Sequence, residues 1–199
     1  LSYRGTFMLN YIYGTMSSAK SANLLIKAYQ LGLCGKRVLL LKSDFDTRDV
    51  GVIRSRVGMS QPCETFSRGD DLYSLVPRLL ARISKEGKEY PGRAVVMIDE
   101  CQFCTTLQIQ QLRQLTLKYP VDVYCYGMKN TFQNTIFQSS DMLLTLADEI
   151  EHIPALCSCG NEATTHLRYV DNKPVFYNEK EVVVGDVKGK DYYKSVCQT

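Results

Sequence analysis

The feature that most constrains this chain is a loop that follows a strand-like segment and precedes a helix-like one. Its residues, Gly14-Thr15-Met16-Ser17-Ser18-Ala19-Lys20-Ser21, nearly match the pattern G-x-x-x-x-G-K-[ST]. In such loops backbone N–H groups surround a phosphate, the lysine reaches the β and γ oxygens, and the final hydroxyl binds Mg²⁺. We therefore predict that Gly14 through Ser21 bind the phosphates of a nucleotide, with Ser21 as a magnesium ligand.

Ala19 is the departure from this pattern. Glycine at that place lets the backbone approach a phosphate and adopt dihedral angles that a Cβ disfavours. An alanine is compatible with a slower enzyme and also with a nucleotide binder that has lost turnover. A further alternative is an ordinary strand-turn-helix in which the Lys-Ser pair is accidental.

Short apolar runs alternate with helical periodicity on both sides of this loop. Thr105 and Gln108 have the spacing of a capping box, and Gly32 and Gly35 are placed to end the first helix. The alternation predicts a P-loop NTPase-type α/β fold, a parallel sheet with helices on both faces. The predicted strands are Thr6–Tyr13, Arg37–Leu41, Ala94–Ile98 and Val121–Tyr126, and the last of these closes the series. The first predicted helix carries Ala22, Leu25, Ile26 and Tyr29 on its apolar face. Two further helices are predicted over Asp71–Ser84 and Thr105–Tyr119.

An acidic pair, Asp99-Glu100, directly follows the apolar run Ala94–Ile98. The carboxyl end of a central parallel strand is where α/β folds place ligand-binding groups. There Asp99 is suited to hold Mg²⁺, and Glu100 is suited to act as a base toward an acceptor hydroxyl. The alternative is a solvated acidic strand end.

Charge and apolar content exclude several classes of protein. The net charge of +3 is too small to imply a nucleic-acid arm or a membrane-binding patch, and the apolar runs are too short to span a bilayer. We therefore expect a cytoplasmic protein with no membrane contact and no nucleic-acid partner. In a reduced compartment Cys34, Cys63, Cys104 and Cys125 are expected to pack in the core as small hydrophobes.

The pattern changes near His152. From Ala155 onward there is no helical periodicity, only the turn Cys-Ser-Cys-Gly and short strand-like pieces at Thr164–Val170 and Glu181–Val184. We predict a nucleotide-binding domain over residues 1–150 and a small, loop-rich lobe over residues 151–199.

The residues Asp99-Glu100-Cys101-Gln102-Phe103 resemble the D-E-x-Q-F signature of the type II thymidine kinases. Further matches follow in order from about Asn10 to Cys197, and the closest similarity is to the bacterial branch, which has a C-x-C-G-x-x-A-T stretch. They are Met16 in the phosphate loop, Asp46-Thr47-Arg48, Thr131-Phe132-Gln133, Cys157-Ser158-Cys159-Gly160-Asn161-Glu162-Ala163-Thr164 and Val196-Cys197.

The resemblance implies roles for particular side chains. Glu100 would take the proton from the nucleoside 5′-hydroxyl, and Arg48 would stabilise phosphate charge. The implied ATP and phosphate site is Gly14, Thr15, Met16, Ser17, Ser18, Ala19, Lys20, Ser21, Arg48, Asp99 and Gln102, with Ser21 and Asp99 on Mg²⁺. The implied nucleoside site is Met16, Phe103, Met128, Phe132, Val184 and Tyr193, each of which would otherwise be assigned to the core.

The resemblance also implies a structural zinc in the second lobe, and a loop, here Val182–Tyr193, that covers the base like a lasso. Cys157, Cys159 and Cys197 match three zinc ligands. The family's fourth ligand lies three residues after the match to Cys197, beyond Thr199. Either this sequence is cut short of that ligand, or the site is completed differently, with His152 or His166 as local candidates. A loop-rich lobe of this size buries little apolar surface, which makes a zinc-ribbon-like site physically reasonable; unligated thiols are the alternative.

Together these features predict a thymidine kinase that uses Mg-ATP and carries structural Zn²⁺. The family resemblance further implies a homotetramer inhibited by thymidine triphosphate. Two other hypotheses stay open: a non-catalytic or impaired P-loop protein, suggested by Ala19, and a P-loop ATPase whose zinc ribbon binds nucleic acid. Against the last, Lys188, Lys190 and Lys194 beside Tyr192 and Tyr193 do not make a dense basic stripe.

Overall fold

The computed structural model of the protein describes residues 7–85, 93–177 and 190–197. The helices are α1 (Lys20–Leu33), α2 (Leu72–Lys85), α3 (Thr106–Lys118) and α4 (Gln138–Leu146). The strands are β1 (Leu9–Tyr13), β2 (Arg37–Ser43), β3 (Val52–Arg54), β4 (Ser60–Pro62), β5 (Glu64–Phe66), β6 (Ala94–Asp99), β7 (Val121–Gly127), β8 (Glu149–His152), β9 (Thr165–Val170), β10 (Lys173–Val175) and β11 (Asp191–Val196).

A six-stranded sheet in the order β5-β2-β6-β7-β1-β8 forms the centre of the molecule. All of its pairings are parallel, as the alternation of strands and helices predicts. The register places Lys42 of β2 beside Asp99 of β6. Because parallel strands end at the same edge, the loops after β1, β2, β6 and β7 meet there and form one site.

Helices cover both faces of this sheet, which confirms the predicted architecture. On one face α1 packs through Leu24, Leu25 and Ala28, with Ile53 of β3 beside it. The other face is covered by α2, α3 and α4, whose apolar residues join those of the strands in the larger core cluster. None of the four described helices combines the length and apolarity needed to cross a membrane.

The prediction for the buried face of α1 was partly wrong. Ala22 and Leu25 are buried as expected, but Ile26 is 47% exposed and Tyr29 is 67% exposed. The helix is apolar on more than one side, so its periodicity fits two different faces. Packing against the sheet selects the face that carries Ala28.

Val121–Tyr126 was predicted to close the series of strands, and this was wrong. After β7 the chain continues into α4 and the parallel edge strand β8. All four residues of β8 are exposed, so this strand lacks the apolar residues by which a buried strand is predicted. Helix α4 begins after Phe137, whose side chain makes no capping hydrogen bond, so it lacks the usual sequence signal of a helix start. The small antiparallel hairpin β3–β4 was also not predicted.

Local signals at the helix ends were more reliable. Thr105 and Gln108 form the predicted capping box at the start of α3. Gly35 adopts a positive φ of 72° just after α1, which suits a helix end. Of the cysteines expected in the core, Cys104 and Cys125 are buried and Cys63 is half-buried. Cys34 is exposed, contrary to the prediction, because it caps the end of α1.

The second lobe contains a three-stranded antiparallel sheet in the order β10-β9-β11. It contacts the first part of the chain through Tyr193, which packs with Met16 and Phe132, and through Ser195, whose hydroxyl donates to the carbonyl of Met16. The predicted strand Glu181–Val184 lies outside the described residues. The division between domains over 1–150 and 151–199 stays a prediction; β8 crosses that boundary.

Candidate active site

The loop between β1 and α1 has the backbone shape that its sequence predicts. Ala19 has φ 60° and ψ 26°, the left-handed conformation that suits the motif's glycine. This conformation costs an L-residue about 1–2 kcal/mol. Gly14 is required for a different reason, since a Cβ there would lie 2.5 Å from the carbonyl oxygen of Ile153. Ser17 also has a positive φ, 64°.

Lys20 is the first residue of α1, and its ammonium is buried inside the loop. Its Nζ donates to the carbonyls of Gly14 at 3.0 Å and Thr15 at 2.7 Å, and to Ser18 Oγ at 3.3 Å. Burial lowers the pKa of Lys20. The ammonium of Lys20 is therefore held by the backbone carbonyls of its own loop.

Ser21 and Asp99 meet across the site. Ser21 Oγ donates to Asp99 Oδ2 at 3.0 Å and Oδ1 at 3.2 Å. Burial, followed by the charge of neighbouring Glu100, raises the pKa of Asp99 to about 7. The Ser21 hydroxyl and the Asp99 carboxylate provide oxygen ligands of the kind that Mg²⁺ prefers. Neighbouring cations do not fully offset the cost of burying the Asp99 charge, so a metal ion would stabilise it. These two residues therefore fit a magnesium ion.

Glu100 follows β6 with a positive φ of 54°, a conformation that is costly for a side chain of its type. Its two oxygens have separate partners: Arg48 Nη2 donates to Oε1 at 2.8 Å, and Gln102 Nε2 donates to Oε2 at 2.5 Å. The carboxylate is thus oriented at the carboxyl edge of the sheet, next to the phosphate loop.

Gln102 was predicted to contact phosphate, but the structure places it behind Glu100 and outside the cavity wall. Its amide is engaged at both ends, because Oε1 accepts a hydrogen bond from the backbone N–H of Met128 at 3.0 Å. Gly127 makes room for it, since a Cβ there would lie 2.6 Å from Gln102 Oε1. Gln102 therefore positions Glu100.

Arg48 belongs to a charged network that also contains Lys42 and Asp46. Arg48 Nε lies 2.7 Å from Asp46 Oδ1, and Lys42 Nζ lies 3.0 Å from Asp46 Oδ2. Burial opposes ionisation of Asp46, but the two cations outweigh it and lower its pKa. Lys42 was not selected from the sequence; a charged residue continuing the apolar run Arg37–Leu41 was the available signal.

A single cavity of about 410 Å³ joins these groups, a size typical of small-molecule sites. Its lining includes the charged side chains of Lys20, Arg48, Asp99 and Glu100. The same cavity is also lined by the apolar residues predicted for the nucleoside, namely Met16, Phe103, Met128, Phe132 and Tyr193. Val184, the sixth predicted nucleoside contact, lies outside the described residues. Ser17, Ala19 and Ser21 line this cavity, Gly14 and Thr15 line a smaller one beside it, and Ser18 lines neither.

The apolar lining is built from both lobes. Phe132 and Tyr193 meet edge to face, with ring centroids 6.2 Å apart at 61°. Phe45 packs against Phe103 at 5.0 Å. Aromatic side chains that line a cavity give a flat heterocyclic base an apolar surface to pack against, and this cavity is lined by such side chains as well as by charged ones.

Arg56 enters the cavity from the β3–β4 hairpin, which sequence reasoning missed. Its Nη1 donates to Ser17 Oγ of the phosphate loop at 2.6 Å. Its charge is close enough to contribute to the lowered pKa of Lys20. Lys42 supports the base of this hairpin by donating to the carbonyls of Asp49 and Val52. The hairpin therefore brings an additional cation to the loop between β1 and α1.

The thiols of Cys157, Cys159 and Cys197 come together, with all three Sγ atoms within 4.8 Å of one another. Cys159 Sγ and Cys197 Sγ are 3.4 Å apart. Hydrogen bonds from the backbone, first that of Cys159 and then that of Cys197, lower the pKa of the Cys157 thiol to about 6. Thiolates in this arrangement fit Zn²⁺.

The two histidines proposed as a fourth zinc ligand lie elsewhere. His152 stacks on Tyr13 with ring centroids 5.0 Å apart, and its Nδ1 is 3.5 Å from Glu162. His166 lines the main cavity and packs against Tyr193. Among the described residues, the three cysteines are the only group of three or more His, Cys, Asp or Glu side chains whose ligand atoms lie close enough to share one metal ion.

Comparisons with known proteins agree with this geometry. A family model described as "Thymidine kinase" matches residues 7–199. A thymidine kinase of Streptococcus thermophilus (strain CNRZ 1066) is 36% identical over 192 residues, covering 96% of this chain and 91% of the relative. One from Yersinia pestis is 32% identical over 191 residues, covering 96% and 92%.

Among solved structures, an ATPase domain matches with a TM-score of 0.50 at 15% identity, covering 81% of this chain and 75% of that one. At that identity the similarity concerns the fold alone. It supports the P-loop NTPase-like arrangement of the sheet and helices.

Proposed function

The chain belongs to the thymidine kinase family, and we propose that it transfers the γ-phosphate of Mg-ATP to the 5′-hydroxyl of thymidine, giving thymidine monophosphate. The observation that carries this proposal is the position of Glu100. Its carboxylate lies in the wall of one cavity, together with the phosphate loop and the aromatic residues. Phosphoryl transfer to a nucleoside hydroxyl requires a proton acceptor in the same cavity as a phosphate site and an apolar site for the nucleoside.

The phosphate end is suited to ATP. Backbone N–H groups of the loop and the ammonium of Lys20 would bind the phosphate tail, which displaces Lys20 from the carbonyls of Gly14 and Thr15. Arg56 would add charge from the hairpin. Mg²⁺ held by Ser21 and Asp99 would neutralise charge on the phosphate oxygens.

At the junction, Glu100 would accept the proton of the 5′-hydroxyl as that oxygen attacks the γ-phosphorus. Arg48 holds this carboxylate in the structure and is suited to interact with the transferred phosphoryl group. Because phosphoryl transfer needs little beyond positioning and charge stabilisation, these two side chains suffice for the remaining chemistry.

The aromatic end is suited to the nucleoside. Met16, Phe132 and Tyr193 form an apolar cluster that lines the cavity, and the base would pack against it. The Cys157, Cys159 and Cys197 site would hold a structural Zn²⁺ that fixes the lobe carrying Tyr193. A homotetramer and inhibition by thymidine triphosphate remain predictions from the family resemblance, which gel filtration and an inhibition series test. A cytoplasmic location remains a prediction from the charge and apolar content of the sequence.

The test is transfer of labelled γ-phosphate from Mg-ATP to thymidine, with deoxycytidine as a control acceptor and Ala19→Gly as a matched variant. Product from thymidine alone supports the kinase. Product only with the glycine variant identifies an impaired form. ATP binding with no product in either supports the non-catalytic alternative, and salt-dependent retention on DNA would support the ATPase alternative.

A further inference from the structure

His166 lies on the cavity-facing side of the second lobe's sheet. Its side chain is buried, with 4% of the residue exposed, and it lines the main cavity. The register of β9 and β11 pairs His166 with Ser195 and Arg168 with Tyr193, so these four residues share one face. The imidazole meets Tyr193 edge to face, with ring centroids 5.6 Å apart at 66°.

Two other polar side chains on this face have internal partners. Ser195 donates to the Met16 carbonyl, and Arg168 makes two hydrogen bonds to Asp191 through Nε and Nη2, while its buried Nη1 has no partner among the described residues. Over residues 7–85, 93–177 and 190–197, the side chain of His166 makes no hydrogen bond; it interacts with the ring of Tyr193 and with the charge of Lys20. The ring nitrogens of His166 are not among the fully enclosed polar atoms that lack a partner, and the side chain lines the cavity, so a ligand there can supply the hydrogen bond.

The imidazole is neutral at physiological pH. Burial is the larger cause, the Lys20 ammonium the smaller, and together they lower the pKa of His166 to about 4. A neutral imidazole has one N–H donor and one ring-nitrogen acceptor. It can therefore complement the polar edge of a base without placing a second cation beside Lys20.

We propose that His166 recognises the base of the bound nucleoside, through a hydrogen bond between a ring nitrogen and a polar atom on the base edge. The inference rests on the proposed function for the identity of the ligand. It assigns to His166 a part in nucleoside selection, in place of the metal-ligand role suggested by its position near the cysteines. Tyr193 and Phe132 provide the neighbouring apolar contacts.

The experiment measures the dissociation constant of thymidine by calorimetry for the full chain and for His166→Leu and His166→Gln. Leucine removes the hydrogen bond and keeps the bulk, whereas glutamine retains a donor and an acceptor. We expect about 10-fold weaker thymidine binding by the leucine variant, the loss of one hydrogen bond, and at most about 3-fold weakening by the glutamine variant. A non-hydrolysable ATP analogue should bind all three proteins equally, which also verifies folding.

Equal weakening by both variants, or no weakening by leucine, overturns the inference. Deoxyuridine, which lacks the methyl group but keeps the other base atoms, separates two kinds of contact. A parallel loss with deoxyuridine supports the hydrogen bond, and a loss confined to thymidine would indicate a methyl contact instead and overturn it. Binding is independent of turnover, so a chain that binds thymidine through His166 without phosphorylating it would contradict the proposed kinase and leave this inference supported.

Discussion

The guanidinium of Arg48 lies 2.8 Å from the carboxylate of Glu100, and the same Arg48 is bound to buried Asp46. Asp46 is in turn held by Lys42 at 3.0 Å. Arg48 is therefore anchored on one side and available to the cavity on the other. Phosphate arriving next to Arg48 would compete with Glu100 for its N–H groups and leave the carboxylate free to accept a proton.

Glu100→Gln should lower kcat for thymidine phosphorylation about 1,000-fold, because an amide cannot accept the proton of the 5′-hydroxyl. The KM for ATP should change less than about 2-fold. Steady-state kinetics checks both values. Glu64→Gln is the matched control, since Glu64 pairs with Arg82 outside the cavity. Near-normal turnover by Glu100→Gln would exclude Glu100 as the base.

Lys20→Ala should weaken ATP binding and also slow transfer, lowering kcat/KM for ATP about 100-fold, as expected for removal of a charge that stabilises the transition state. Lys27→Ala is a control on the same helix, where Lys27 lies over the ring of Tyr124. Titration with ATP and single-turnover kinetics separate the two effects. An unchanged affinity for ATP would contradict the assignment of Lys20 to the phosphate tail.

Arg56→Gln should raise the KM for ATP about 5-fold to 10-fold and leave the KM for thymidine unchanged, because it removes a cation at the phosphate loop. Arg54→Gln removes the same charge two residues away, from a guanidinium bound to Asp49. Comparing the variants at two salt concentrations separates the loss of a direct contact with ATP from a change in the long-range electrostatic potential, because salt screens the latter more strongly. Equal effects of the two substitutions would contradict a direct role for Arg56.

Ala19→Gly should raise the free energy of unfolding by about 1 kcal/mol, because glycine adopts the positive φ of 60° without steric cost. Urea denaturation of the nucleotide-free protein measures this. The same variant should bind ATP at least as tightly as the unaltered chain. A loss of stability would mean that Ala19 makes compensating contacts.

Cys157→Ser should abolish binding of one zinc ion per chain and lower the melting temperature by about 10 °C, since a structural metal contributes several kcal/mol to a small lobe. Cys34→Ser makes the same chemical change at an exposed cysteine outside the cluster and should have no effect. Metal analysis by mass spectrometry, together with thermal unfolding, gives the two readouts. Zinc retained in Cys157→Ser would exclude the site.

Local patterns in the sequence predicted the parallel sheet, helices on both faces, the capping box of α3 and the phosphate loop, because each depends on neighbouring residues. They did not predict which face of α1 is buried. Ile26 and Tyr29 are exposed, since the sheet packs on the side of α1 that carries Ala28. The exposed edge strand β8 has no apolar alternation and gave no signal either.

The sequence by itself determined that this chain has a loop with the phosphate-binding pattern, an acidic strand end and a cysteine pair, because these motifs are contiguous and their chemistry is local. Only the tertiary structure decided what lies opposite them. It brings Arg56 to Ser17, turns Gln102 toward Glu100 and places His166 in the cavity instead of beside the cysteines. These relationships depend on how a hairpin and a second sheet pack against the first, and that packing is set by contacts between residues far apart in the chain.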